Sequence, residues 1–242
     1  MLETKWLYLG LNAVVLSIPL LRSFETQKVQ FYKRYKALFA SIIPVAIFFL
    51  IWDIWFTEMG VWGFNPKYLS GIEAFGLPLG EYLFFIVVPY VCVFIYDSVN
   101  YFYPDGGFFA KNVNKFSTFL MAFGAAMAVS LFGRAYSLST FLLLAVWVGY
   151  LHYYLKPTWL PKLYRAYTIA LLGFFFMNGI LTGTGIEEPV VWYKEADFST
   201  RRIGTIPIED MFYGFILISM NIALYEYWCK RFGLILPSKS KA

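Results

Sequence analysis

A proline–acid element that occurs twice at a fixed spacing limits what this 242-residue chain can fold into. Pro78-Leu79-Gly80-Glu81 opens an apolar stretch that ends at Tyr96-Asp97, and Pro207-Ile208-Glu209-Asp210 opens another that ends at Tyr225-Glu226. Pro78 and Pro207, Glu81 and Asp210, Tyr96 and Tyr225, and Asp97 and Glu226 are each 129 positions apart. A constant offset marks a duplicated unit, so the fold must be one that a single chain can build twice.

The medium for that fold is lipid. The chain is 60% hydrophobic, 22% aromatic and 14% charged, whereas soluble domains carry about 25% charged residues. Apolar windows of about 20 residues give seven spans, at roughly 6–22, 37–56, 81–101, 116–133, 138–155, 166–182 and 209–228. Nothing between them is long enough for a soluble domain. The first span lacks a small-residue cleavage site and reads as a retained helix. The expected architecture is an all-α membrane protein of seven transmembrane helices, with three-helix repeats at 1–103 and 137–242 joined by a spacer helix at 104–136. The spacer reverses the chain once, so both units enter the membrane in the same sense, as parallel repeats about an axis along its normal. Smaller echoes support the duplication: Phe31-Tyr32-Lys33-Arg34-Tyr35 against Lys162-Leu163-Tyr164-Arg165-Ala166-Tyr167, and Val61-Trp62-Gly63-Phe64 against Val190-Val191-Trp192-Tyr193.

The net charge of +5 is unevenly placed. Basic residues gather after spans one, three and five and at the C-terminus (Lys230, Arg231, Lys239, Lys241), and the alternate loops are acidic or nearly neutral. By the positive-inside rule the N-terminus is outside and the C-terminus cytoplasmic, which accounts for the basic clusters without a nucleic-acid partner. Cys92 and Cys229 fall at different depths, which argues against a disulfide. The single histidine, His152, cannot build a His-based metal site.

Both proline–acid elements then lie at the outer ends of their helices, where Glu81, Glu209 and Asp210 converge. Asp97 and Glu226 sit 16 residues further on, about 24 Å away, as interfacial groups paired with nearby bases, Glu226 beside Lys230 and Arg231. One such element is what any helix start favours, but two copies in loops rich in aromatics point to chemistry. Asp53, an ionisable group inside a span, is a further candidate. A neutral carboxyl group in an apolar pocket is a usable general acid. The nearby Trp52, Trp55, Trp62, Phe64, Phe84, Phe85, Trp192, Tyr193 and Tyr213 form an apolar lining suited to a cation. Asn178 and Asn221 are interhelical hydrogen-bond candidates, and Asn178 joins the substrate-binding set.

At these residues the chain resembles the lycopene cyclase domain family, an integral-membrane type found as two small subunits or one fused chain. The match rests on the tandem unit, on Trp62-Gly63-Phe64-Asn65-Pro66, on Pro78 to Phe85, and on Gly204 to Asp210 running into Tyr213-Gly214-Phe215. In the family pattern two adjacent acids follow the proline in each half, and here Gly80 replaces the first acid of the first half. The resemblance implies cyclisation of the ends of lycopene to β-ionone rings at the cell membrane, with no cofactor. It implies Glu209 as the acid, with Glu81 and Asp210 tuning it or accepting the proton; Asp53 joins the catalytic set on its place inside a span. The alternative is a transporter built from parallel repeats. A retinal protein would need a Schiff-base lysine, and Glu209 to Trp228 contains none.

Overall fold

Apolar runs of this length satisfy their backbone groups in lipid only as helices. Each of the seven expected spans is a helix in the computed structural model, which describes residues 4–234. Lys239 and Lys241 lie outside the described residues. The helices are α1 (Leu7–Ser23), α2 (Tyr35–Glu58), α3 (Leu79–Phe102), α4 (Phe108–Ser130), α5 (Ala135–Gly149), α6 (Leu160–Leu181) and α7 (Ile208–Arg231). Five are long and apolar enough to cross a membrane: α2 with the turn before it, α3, α5 with the π-helical turn after it, α6 and α7. The other two differ from the expected seven full spans for physical reasons. α1 is apolar but has 17 residues, about 26 Å against a hydrocarbon core of about 30 Å. α4 begins at Phe108, and Lys111 and Lys115 lie in its first turns. α6 likewise starts earlier than its apolar run, with a proline at its first positions.

The two halves pack reciprocally. α1 lies on α3 and α5 on α7, while α2 crosses to α7 and α6 crosses to α3. The third helices of the halves, α3 and α7, also touch each other, and α4 packs on α5 and α6. An antiparallel hairpin precedes each third helix: β2 (Glu73–Ala74) with β3 (Leu77–Pro78), and β5 (Arg202–Ile203) with β6 (Ile206–Pro207). Their registers repeat, Glu73 opposite Pro78 and Arg202 opposite Pro207. Positive φ at Phe75 and Gly76 in one turn, and at Gly204 in the other, suits the tight turns that twisted hairpins need. The remaining strands, β1 (Trp62–Phe64) and β4 (Val191–Tyr193), pair across the halves, with Gly63 opposite Trp192. Those two residues are counterparts in the repeat, so the internal two-fold axis passes through the centre of this ribbon.

At the far end of the bundle the halves exchange hydrogen bonds. Tyr225 Oη donates to Asp97 Oδ2 at 2.5 Å, and Tyr96 Oη donates to Glu226 Oε1. Each tyrosine thus binds the acid of the opposite half. Asp97 takes its base from another element: Arg34 Nε reaches Asp97 Oδ2 at 2.7 Å, with both side chains buried. Arg34 approaches from the turn before α2, across the bundle, whereas Lys230 and Arg231 sit at the end of α7. Asn221 is also not an interhelical bridge, since its Nδ2 bonds Leu217 O of its own helix.

Candidate active site

The hairpins bring three carboxylates to one end of a shared cavity. Asp53 comes from the last turns of α2 and is 2% exposed. Trp62, in the strand that follows, donates its Nε1–H to Asp53 Oδ1 at 2.5 Å, while Asp53 Oδ2 is buried without a hydrogen-bond partner. Glu81, in the first turn of α3, accepts a hydrogen bond from Tyr8 of α1. Asp210, in the first turn of α7, is saturated by three donors: Tyr136 Oη at 2.6 Å, Asn178 Nδ2 at 2.7 Å and Tyr193 Oη at 2.9 Å. Such a donor set suits an ionised carboxylate, which only accepts. Burial, with Asp210 alongside, pushes the Tyr193 phenol well above its usual range, so it stays a donor. The Tyr213 hydroxyl is buried with no partner and faces the same space.

The cavity holds about 1050 Å³ of unfilled space and is mostly apolar. Of the expected binding residues, Trp62, Phe64, Phe84, Asn178, Tyr193 and Tyr213 line it. Trp52 and Phe85 stand one layer behind, Trp52 with its ring 5.2 Å from that of Tyr213 and Phe85 5.5 Å from Phe84. Two expectations are corrected. Trp55 is 59% exposed, because it lies two positions from Asp53 and so on another face of α2. Trp192 is 43% exposed and lies over Gly63, outside this cavity. Glu209 is placed differently from the other acids. It is fully buried, and its Oε1 accepts from Ser137 Oγ at 2.5 Å and Ser199 N at 2.8 Å, but it does not line the cavity. Among the described residues no group of three His, Cys, Asp or Glu is arranged to hold a metal ion.

The family model for lycopene cyclase matches residues 5–99 and again 133–228, most of the chain in two copies. The chain belongs to the lycopene cyclase family. No curated protein and no solved structure matches it. Membership makes this chain a carotenoid cyclase, and its apolar helices put it in a membrane. The two matched stretches of the cyclase are the two halves related by the axis above, which makes its one departure interpretable. Gly80 and Glu209 are counterparts, and so are Tyr8 and Ser137. A Cβ on Gly80 would stand 2.5 Å from Cγ of Tyr8. In one half a large ring faces a glycine, and in the other a serine faces a glutamate. The ring of Tyr8 fills the space that the missing acid would occupy, and its hydroxyl serves Glu81 instead.

Sequence reasoning missed Tyr8 and Tyr136, although both bind a cavity acid from the first helix of their half. The signal was available, since Tyr8 and Tyr136 lie 128 positions apart, one short of the repeat offset.

Proposed function

We propose that this cyclase is a lycopene β-cyclase of the isomerase class, converting lycopene to γ-carotene and then to β-carotene. The observation that supports this most is Asp53, a buried carboxyl group with one oxygen unpartnered, facing an aromatic cavity beside two further acids. Protonated at that oxygen, Asp53 delivers a proton to the terminal double bond of the polyene. The resulting tertiary cation is attacked by the internal alkene, which closes the six-membered ring. Loss of the ring proton to a second carboxylate then leaves the β-type double bond. One proton enters and one leaves, so the product is an isomer and the stoichiometry asks for no redox cofactor.

Glu81, with a single donor, is the acceptor we assign to the departing proton, and Asp210 with its three donors is the fixed negative charge that stabilises the cation. The faces of Trp62, Tyr213 and Phe84 add cation–π stabilisation. Glu209, held by Ser137 and Ser199 behind the site, becomes a structural group in this reading. The proposed setting is the cell membrane, N-terminus outside and C-terminus cytoplasmic, with repeats at 1–103 and 137–242 and α4 in the linking segment 104–136. Chromatography of pigments from lycopene-accumulating cells that express the chain tests the function: γ- and β-carotene should appear. Unchanged lycopene at normal protein levels would reject it.

A further inference from the structure

The cavity runs along one face of α3 from Glu81 to Ile95 and along one face of α6 from Leu181 to Tyr167. Each stretch advances 14 residues, so the slot is about 21 Å long, with its carboxylates at the hairpin end. The internal two-fold axis relates it to a region between α2 and α7 that is packed with aromatic rings. Phe49, Trp52 and Phe85 are buried there, with the Phe49 ring 5.8 Å from Trp52 and 6.1 Å from Phe85. Their counterparts 129 positions later are Asn178, Leu181 and Gly214, all on the wall of the slot. The halves have diverged so that one is filled with aromatic rings and the other stands open.

Gly173 lies within the open half, at the wall of the slot, where the filled half has Pro44. It is inside α6, five residues and about 7.5 Å along the helix from Asn178, the partner of Asp210. A Cβ placed there would find no heavy atom within 4 Å. Close helix packing therefore does not require a glycine at this position. Resting on the lycopene cyclase reading, we propose that Gly173 is a specificity-determining residue: its missing side chain keeps the slot open to a long polyene below the carboxylates.

The test separates binding from turnover. The Asp53→Asn protein, purified from lycopene-accumulating cells, should carry bound polyene. Adding Gly173→Trp or Gly173→Leu should cut the co-purifying pigment at least tenfold, since even one methylene too many in an apolar pocket is worth about 10–200-fold. Leu172→Trp, one position away and 75% exposed, should retain it. All variants should melt close to the Asp53→Asn parent. Pigment held at parental levels by both Gly173 variants would overturn the inference, as would an Asp53→Asn protein that carries no polyene. Failure of the cyclase reading is a separate result, with no cyclised carotenoid from the unmodified chain.

Discussion

Gly80→Ala is the smallest change that tests why the first half has lost an acid. The added methyl would sit 2.5 Å from Cγ and 2.6 Å from Cδ1 of Tyr8, so the ring must move by about 1 Å to reach ordinary contact. Tyr8 has little room to move, being 2% exposed and tied through its hydroxyl to Glu81. Overpacking of this kind costs about 1–3 kcal/mol, and weakening a hydrogen bond to a charged group adds about 1.5 kcal/mol. The helix propensity of alanine returns up to about 1 kcal/mol, for a net loss of about 2 kcal/mol. In a chain of this size that lowers Tm by about 4–8 °C, readable as a thermal melt in detergent. The decisive comparison uses Tyr8→Ser, which copies Ser137 of the other half. In that background Gly80→Ala should become neutral or mildly stabilising, a coupling of about 2 kcal/mol between contacting residues. An equal loss in both backgrounds would refute the volume exchange.

Asp53→Asn should lower cyclisation about 10²–10⁴-fold at normal protein levels. Glu209→Gln, whose amide oxygen can still accept from Ser137 and Ser199, should stay within a few-fold of the parent per folded molecule, and the reverse ranking in a pigment assay would return the acid role to Glu209. Arg34→Met leaves Asp97, 1% exposed, without its base; the expected loss is about 3–5 kcal/mol, largely recovered when Asp97→Asn is added, and melts of the three proteins decide it. A reporter fused to the C-terminus should be active only in the cytoplasm, and activity on the other side would reverse the topology.

The sequence made the helices legible because an apolar run in lipid has few alternatives, and it made Glu81 and Asp210 legible because they recur. It was less informative wherever a partner comes from elsewhere in the chain. Nothing local to Asp97 indicates Arg34, 63 positions earlier. Trp55 could have been excluded from helical spacing alone, since Trp52, Asp53 and Phe56 share a buried face that it does not. Glu209 illustrates a different limit. Adjacent acids at a helix start point in different directions, and only the packing of Ser137 and Tyr136 separates the one that faces the cavity from the one that does not.

The ribbon of β1 and β4 carries one more consequence. Where two identical subunits meet at a two-fold axis, a residue on the axis faces its own copy. Two tryptophans at that point would collide, and two glycines would leave a hole. Here the axis falls between Gly63 and Trp192, a pairing that only non-identical halves can make. Joining the halves in one chain lets each position be chosen without regard to its mirror, and the same freedom gives Asp53 where the other half has Thr182.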